Sequence, residues 1–366
     1  MTSTTAAGRR AGGFDAARVE DAVLGVAEAT GFSGTVRITR HGEPVIRRAF
    51  GMASRRWSVP NADGTRFRVA SVSKTFTAVA VLQLVEQGRV ALDEPLVGHV
   101  AEHMPGLDPR VTVRHALTMT SGIADWFEED SPDWEAAWAA LTASHPLYLL
   151  RRNADYVPLF AGKEPHFPPG ERYRYNGAGY LLLGLLIESV TGRPYEEAVT
   201  DGVFTRAGMD TAGFPALDEI GPDVAEGYLT PADGPTPYRT NHYATTPAAA
   251  ADGGATCSAA DLTAFAHALR TGRLLGEEYT RLALTPQVDE RAEKVRGYRW
   301  RYGFGLTHLL DDEDTVVRWG HTGEEDGASA RLYHYPHQDT DVAVLANVSW
   351  TAGEMGWAIH DALVGG

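Results

Sequence analysis

The sequence predicts an α+β protein in which both ends of the chain build one antiparallel sheet and the middle forms a helical lobe. Three observations predict this fold class. The chain has 366 residues, of which 43% are apolar, enough for a sizeable core. Runs typical of β-strands lie near both ends, and helical periodicity dominates the stretch between them. We therefore expect a cleft between the sheet and the helical lobe.

The first elements along the chain are a helix and a β-hairpin. Helical periodicity covers residues 15–29. Two strand-like runs follow, 35–40 and 44–50, and His41-Gly42 joins them. A short connection that contains glycine between two such runs predicts a hairpin.

Three helices are predicted in the middle of the chain, and a glycine follows each of them. They cover residues 75–87, 178–190 and 259–270. The first two are apolar on nearly every face, which is typical of buried helices, and glycine favours the backbone conformation that ends many helices. Ser258 and Asp261 have the spacing of a capping box at the start of the third helix.

The C-terminal part predicts four strands and a closing helix. The strands cover residues 303–310, 315–319, 328–335 and 341–348, and the helix covers 353–364. The segment Gly320-His321-Thr322-Gly323 lies between two of these strands.

These elements predict three parts of the chain. Residues 1–13 are expected to be a flexible N-terminus. Residues 14–68 and 295–366 would form an α/β domain that contains the sheet. Residues 69–294 would form a helical domain, with the functional cleft at the interface.

Composition excludes several classes of function. The net charge of −15 disfavours nucleic acid and anionic membranes as partners, because both attract basic surfaces. A single cysteine, Cys257, rules out an internal disulfide and disfavours a cysteine-ligated metal. The longest apolar run, residues 180–187, is too short to span a bilayer, so a cytoplasmic protein is predicted. No HExxH, CxxC, Walker, GxGxxG or GxSxG motif occurs, and no metal or organic cofactor is predicted.

A serine and a lysine at helical spacing precede the first buried helix, in the segment Ser71-Val72-Ser73-Lys74. Residues three apart on a helix share a face, so Ser71 and Lys74 are expected within hydrogen-bonding reach. A desolvated lysine can lose its proton and accept one from a serine, whereas the pKa of arginine stays above ~12. Only three of the 33 basic residues are lysines, which favours a functional reason for this one. The alternative is a serine that caps the helix beside a solvated lysine.

The second candidate segment precedes the other buried helix. It runs from Pro169 to Gly177 and includes Tyr175 and Asn176. A tyrosine that faces a cleft can relay a proton between nucleophile and leaving group. The alternative is an aromatic side chain that packs under the start of the helix.

The third candidate segment is Gly320-His321-Thr322-Gly323. Its glycines would let a substrate lie against the strand edge, where a backbone N–H can face a developing oxyanion. The alternative is a surface turn that carries a titratable histidine.

Taken together, the three segments resemble the serine β-lactamase and penicillin-binding-protein superfamily. The similarity is to its class C-like branch, which includes family VIII carboxylesterases and D-aminopeptidases. It covers nearly the whole chain and includes residues 67–71, 92–95, 113–123 and 175–184. The resemblance implies a β-lactamase/transpeptidase-like fold.

The resemblance also implies roles for individual residues. Ser71 is expected to be the acylated nucleophile, Lys74 its general base and Tyr175 the proton relay. His321 occupies the Lys/His-x-Gly position, and the backbone N–H groups of Ser71 and Glu324 would form the oxyanion hole. The predicted substrate-binding residues are Trp126, Asn176, Gly177, Thr322, Gly323 and Glu325.

The sequence departs from the family pattern at three places. Gly177 stands where the Tyr-x-Asn motif has its asparagine, and His321 replaces the lysine that β-lactamases use beside the substrate carboxylate. Both changes disfavour β-lactam hydrolysis, since neutral imidazole is a weak carboxylate partner. The acidic run Glu324-Glu325-Asp326 follows. It either attracts an amine-bearing substrate or forms a solvated turn.

The predicted function is that of a serine hydrolase that cleaves a small-molecule ester or peptide-like amide through an acyl-enzyme. One alternative is a transacylase that hands the acyl group to an amine or alcohol, which requires the same motifs. A second alternative, from another class, is a non-catalytic sensor that keeps the fold. The sequence predicts neither the substrate nor the oligomeric state.

Overall fold

A computed structural model describes residues 14–129, 131–231, 233 and 237–365 of the chain. The predicted flexible N-terminus, residues 1–13, lies outside the described residues. The strands are β1 (Gly34–Arg40), β2 (Glu43–Phe50), β3 (Met52–Ser54), β4 (Val59–Pro60), β5 (Phe67–Arg68), β6 (Thr256–Cys257), β7 (Val288–Asp289), β8 (Arg299–Tyr302), β9 (Thr307–Leu310), β10 (Val316–Glu325), β11 (Ala328–Tyr335) and β12 (Thr340–Ala346).

The α-helices alternate with short 3₁₀ turns, of which one, Ala70–Val72, precedes α2. The helices are α1 (Ala16–Thr30), α2 (Ser73–Glu86), α3 (Val97–Val100), α4 (Val113–Leu117), α5 (Trp134–Ser144), α6 (Asn153–Tyr156), α7 (Gly177–Thr191), α8 (Tyr195–Val199), α9 (Thr205–Ala207), α10 (Ala259–Arg270), α11 (Glu277–Ala283) and α12 (Ala352–Val364).

Both ends of the chain meet in one eight-stranded sheet, in the order β2-β1-β12-β11-β10-β9-β8-β7. Strand β1 pairs antiparallel with β12, from Gly34 opposite Ala346 to Arg40 opposite Thr340. The prediction of a sheet built from both chain ends is therefore confirmed.

The predicted hairpin between β1 and β2 is also confirmed. His41 and Gly42 both have positive φ, at 52° and 82°. Two such residues in a two-residue loop are typical of a type I′ turn, whose twist matches that of the flanking strands.

Two hydrophobic cores cover the two faces of the sheet. On one face α1 and α12 pack against the strands through residues such as Val23 and Ile359. On the other face lies the larger core, which contains α2, α7 and α10. Helix α2 is buried continuously from Ser73 to Leu84, as its uniformly apolar sequence predicts. The apolar character of α2 thus places the Ser71–Lys74 segment deep in the molecule.

The predicted helix ends follow the capping rules used to place them. Gly192 ends α7 in the left-handed conformation, with φ of 70°. At the start of α10, Ser258 and Asp261 form the predicted capping box with reciprocal bonds to the backbone. These two helix boundaries are confirmed.

Two C-terminal predictions need correction. The predicted strand 315–319 is longer than expected, because β10 continues through Gly320 to Gly323 and pairs with β11 as far as Glu325, which excludes the alternative of a surface turn. The predicted strand 303–310 is a strand only from Thr307 to Leu310, because residues 303–306 form the turn between β8 and β9. At that turn Gly305 has φ of 72°, and a Cβ there would lie 2.9 Å from the Lys74 carbonyl oxygen. The close approach to α2 explains the break.

Among the described residues, no helix combines the length and the apolar character needed to cross a membrane. The division into an α/β and a helical domain stays a prediction.

Candidate active site

A cleft of about 1020 Å³ opens where the N-terminal ends of α2 and α7 face strand β10. Most of the predicted site residues line it: Ser71, Lys74, Trp126, Tyr175, His321, Thr322, Glu324 and Glu325. Residues separated by 250 positions in the sequence therefore meet in one cleft.

Ser71 and Lys74 are in direct contact at the base of the cleft. The Lys74 Nζ donates to Ser71 Oγ at 3.0 Å and to the backbone oxygen of Asp252 at 2.6 Å. Lys74 is only 1% exposed. Ala70, directly before the serine, has a φ of 44°, a conformation that is unfavourable for a residue with a Cβ and often found at functional sites. The local backbone therefore presents Ser71 to a buried lysine.

Tyr175 contacts the same serine. Its side chain is hydrogen-bonded to that of Ser71, and the Lys74 Nζ lies 4.9 Å from the centre of its ring. Burial raises the pKa of Tyr175 well above its ordinary value, and the nearby carboxylates, Glu129 first, raise it further. The phenol therefore stays protonated at neutral pH, as a proton donor must.

His321 is buried beside Tyr175 and keeps a neutral ring. Its Nδ1 lies 2.6 Å from the backbone oxygen of Thr322, so Nδ1 carries the hydrogen, and its Nε2 lies 3.2 Å from the Tyr302 hydroxyl. Burial, aided by the charge of Lys74, lowers the pKa of His321 to about 3. At neutral pH this position offers no positive charge to a substrate carboxylate.

The depressed pKa of His321 predicts a contribution to acid unfolding. The unfolded chain binds a proton below the ordinary histidine pKa of about 6.5, whereas the folded chain does not until about pH 3. This contribution to stability is complete above pH 6.5 and is lost as the pH falls, by about 1.4 kcal/mol per pH unit. We expect the stability difference between wild type and His321→Asn to fall by about 2.5 kcal/mol from pH 6 to pH 4.

Urea unfolding of both proteins at the two pH values measures this difference. The other titrating groups are common to both proteins and cancel in the comparison. Parallel pH dependences for the two proteins would contradict a neutral, buried His321.

Strand β10 lies tightly against the nucleophile at Gly323. A Cβ at this position would be 2.2 Å from the Val69 backbone oxygen and 3.1 Å from the Ser71 backbone nitrogen. The neighbouring Thr322 is exposed at the cleft mouth. Only glycine allows the edge of β10, which continues to Glu324, to come this close to the Ser71 N–H.

Asn176 is placed as a helix cap rather than as a cleft residue. As N-cap of α7 it accepts from Gly179 N at 2.6 Å, and its Nδ2 donates to the Ile123 oxygen at 3.0 Å. Both ends of its amide are therefore engaged within the protein, and Asn176 is 4% exposed. The prediction that it binds substrate is corrected by this geometry.

A cap at Asn176 predicts a loss of stability without a loss of substrate affinity. We expect Asn176→Ala to lower the free energy of unfolding by about 1 to 2 kcal/mol, with KM unchanged. Urea unfolding and steady-state kinetics measure the two quantities. Ser258→Ala, which removes the cap of α10, is the matched control. A raised KM in Asn176→Ala with wild-type stability would restore the substrate-binding role.

Gly177 leaves no space for a side chain. A Cβ there would lie 2.8 Å from Asp252 Oδ2 and 3.0 Å from the Trp126 indole nitrogen. These two side chains fill the place where the family motif has its asparagine. Gly177 therefore contributes to the site by its small size.

The acidic run after Gly323 is largely neutralised by arginines. Glu325 accepts from Arg68 at 2.5 and 3.2 Å in a bidentate pair, and Glu324 pairs with Arg331 at 2.5 Å. Asp326 is hydrogen-bonded to the Trp138 side chain. Two of the three carboxylates are thus bound to internal cations, which weakens their attraction for an amine.

Two site carboxylates, Asp125 and Asp252, are absent from the sequence prediction. Asp125 is 1% exposed and accepts from the backbone N–H groups of Gly177 at 2.5 Å and Ala178 at 2.8 Å. Burial raises its pKa to about 8, although these N–H groups lower it. It fixes the start of α7 and hence the position of Tyr175. One sequence feature could have indicated Asp125. It is the one acidic residue between positions 115 and 127.

Among the described residues, no group of three or more histidine, cysteine or acidic side chains is arranged to hold a metal ion.

Comparison with known proteins identifies related chains over nearly the whole length. A family model described as Beta-lactamase matches residues 15–363. Esterase EstB of Burkholderia gladioli is 32% identical over 309 residues, which cover 78% of this chain and 77% of that protein.

Two solved structures share the fold. A penicillin-binding protein from Bacillus halodurans has a TM-score of 0.82 and 36% identity, covering 92% of this chain and 98% of that one. A D-stereospecific amidohydrolase from Streptomyces sp. has a TM-score of 0.77 and 26% identity, covering 95% and 98%. The predicted β-lactamase/transpeptidase-like fold is confirmed.

Proposed function

The chain belongs to the Beta-lactamase family, and from this premise we propose that it forms an acyl-enzyme at Ser71 and cleaves a small ester or peptide-like amide. Relatives named as an esterase and as a D-stereospecific amidohydrolase support a serine hydrolase that acts on such bonds.

One observation carries the proposal. Ser71 Oγ is bonded on one side to the buried Lys74 Nζ at 3.0 Å and on the other to the hydroxyl of Tyr175. A nucleophile with a proton acceptor and a proton donor at hydrogen-bonding distance is the arrangement that acyl transfer needs.

In the acylation step Ser71 Oγ attacks the substrate carbonyl carbon while its proton moves to Lys74 Nζ, which acts as the general base. The carbonyl electrons move to the oxygen, which faces the backbone N–H of Ser71 and the predicted second donor, Glu324 N–H. The bond to the leaving group then breaks, and the leaving group takes a proton from the Tyr175 hydroxyl. Tyr175 recovers a proton from the Lys74 ammonium, so both groups return to their starting states.

In the deacylation step water attacks the acyl carbon and gives its proton to Lys74. The bond to Ser71 Oγ breaks, Oγ recovers that proton, and the free acid leaves. Lys74 thus accepts a proton and passes it on in both halves of the reaction.

The charges of the cleft favour esters and amides over β-lactams. A β-lactam presents a carboxylate, and the position beside it is held here by neutral His321. The space of the motif asparagine is filled by Asp252 and Trp126. Both features remove partners that a β-lactam would use.

Intact-protein mass spectrometry tests the proposal. The protein is incubated with p-nitrophenyl butyrate, an alanyl amide, nitrocefin and a fluorophosphonate, with Ser71→Ala as control. We expect adducts of the ester and the fluorophosphonate on the wild type and none on the variant. An unmodified wild-type mass with every reagent would reject the acyl-enzyme and favour a sensor role.

The same experiment, extended to products, separates hydrolysis from transfer. Reaction of the ester with and without an added amine or alcohol shows whether the free acid or the transfer product accumulates. We expect the free acid, and a dominant transfer product would make the protein a transacylase.

A further inference from the structure

A tight turn at residues 250–253 holds Asp252 against the nucleophile. Three buried partners fix the turn. Thr77 Oγ1 donates to the Ala251 oxygen at 2.6 Å, Asn153 Oδ1 accepts from Ala251 N at 2.8 Å, and Lys74 Nζ donates to the Asp252 oxygen at 2.6 Å. The position of the Asp252 side chain is therefore set before any substrate binds.

The Asp252 carboxylate faces the cleft and forms no ion pair within 4 Å among the described residues, although Lys74 is near enough for its charge to act on it. Its Oδ2 accepts from the Trp126 indole N–H at 3.0 Å, and the residue is 8% exposed and lines the cleft wall. Burial raises the pKa of this carboxyl, while the positive charge of Lys74 lowers it. A buried carboxylate of this kind gains most from an incoming cation.

The carboxylate also lies close to the nucleophile. The Oδ2 atom is next to Gly177, where a Cβ would lie 2.8 Å from it. From Ser71 Oγ to the Asp252 backbone the path is two hydrogen bonds, 3.0 and 2.6 Å, through Lys74 Nζ. A group that reaches Asp252 is therefore attached close to the acylated carbonyl.

We infer that Asp252 is a specificity-determining residue that binds a protonated amino group on the carbon next to the scissile carbonyl. The inference rests on the proposed function and names its substrate class, amino-acyl esters and amides with a free amine. The carboxylate supplies the counter-charge.

This inference assigns amine recognition to Asp252 and not to the acidic run after Gly323. Glu324 and Glu325 are bound to arginines, whereas no arginine among the described residues pairs with the Asp252 carboxylate, which accepts from the Trp126 indole. Glu129, an exposed carboxylate close enough to raise the pKa of Tyr175, is the rival receptor at the cleft mouth.

The test compares free and N-acetylated alanine p-nitroanilides, as both enantiomers, at neutral pH. The readout is the ratio of kcat/KM for the free amine to that for the acetylated substrate. We expect the wild type to prefer the free amine. Asp252→Asn keeps the shape and the bond from Trp126, and we expect it to lower this ratio about 10- to 100-fold. The ratio removes any effect of the variant on Lys74, because both substrates use the same acylation chemistry.

Glu129→Gln is the matched control, and its ratio should equal that of the wild type. An unchanged ratio in Asp252→Asn, a loss confined to Glu129→Gln, or a wild-type preference for the acetylated substrate would overturn the inference. Fluorophosphonate labelling of Ser71 is followed in parallel. If Ser71 is labelled and the kcat/KM ratio of Asp252→Asn equals that of the wild type, the amine-binding role of Asp252 is rejected and the proposed acyl-enzyme stands. If Ser71 of the wild type is not labelled, the acyl-enzyme itself is rejected.

Discussion

Replacing Lys74 by arginine should lower kcat/KM on p-nitrophenyl butyrate by at least about 10³-fold. Arginine keeps the positive charge but cannot accept the proton of Ser71, because its pKa stays above ~12. The bulkier guanidinium must also fit a position that is 1% exposed and bonded to Asp252. Steady-state kinetics measures the loss, and Lys294→Arg, at an exposed ion pair, should retain wild-type activity.

A second variant separates chemistry from misfolding. Lys74→Ala removes the amine and leaves space, so an added primary amine should restore part of the rate in a concentration-dependent manner. Thermal unfolding confirms that each variant is folded. Wild-type activity in folded Lys74→Arg would contradict the role of Lys74 as general base.

The part of the site that the sequence predicts is the part encoded by local spacing. Ser71 and Lys74 are three residues apart at the start of a helix whose apolar faces require burial, so their contact follows from helix geometry. Tyr175 precedes a second buried helix, but its place at the cleft is implied by the resemblance to the family motif and not by periodicity. Local spacing suffices for the Ser71–Lys74 contact alone.

The remaining features depend on contacts between distant segments. The ion pair of Glu325 with Arg68 joins β10 to β5, and no sequence pattern near Glu325 predicts this pair. Asp252 lies in a loop rich in small residues that carries no periodic signal, and only the folded chain brings it to Lys74. A run of acidic residues in the sequence therefore overstates the unpaired charge of a site when residues distant in the sequence supply the counter-ions.

The alternative of a surface turn at Gly320 to Gly323 is wrong for a related reason. Two glycines in four residues indicate a turn by local rules. In the folded chain the strand continues through them because pairing with β11 is maintained to Glu325. The glycine at 323 is required by the approach of another segment, the backbone at Val69 and Ser71.

That approach gives the second large prediction. Gly323→Ala should lower kcat by about 10²- to 10³-fold, the loss typical of an oxyanion-hole donor. The added Cβ would meet the Val69 oxygen at 2.2 Å, a backbone atom that cannot rotate away. Strand β10 must then withdraw from Ser71, and the strand-edge donor predicted at Glu324 withdraws with it. Gly98→Ala, where a Cβ meets nothing within 4 Å, should keep wild-type kinetics.

Comparing kcat with the fluorophosphonate labelling of Ser71 identifies the cause of the activity loss in Gly323→Ala. The Ser71–Lys74 contact lies within one helical turn and does not depend on β10. Fluorophosphonate should therefore still label Ser71 in Gly323→Ala, more slowly than in the wild type, while thermal unfolding shows a folded protein. Unchanged kcat in a folded variant would mean that the β10 edge supplies no oxyanion donor. A loss of kcat with labelling retained would locate the oxyanion hole between β10 and the start of α2, because only the separation of those two segments has changed.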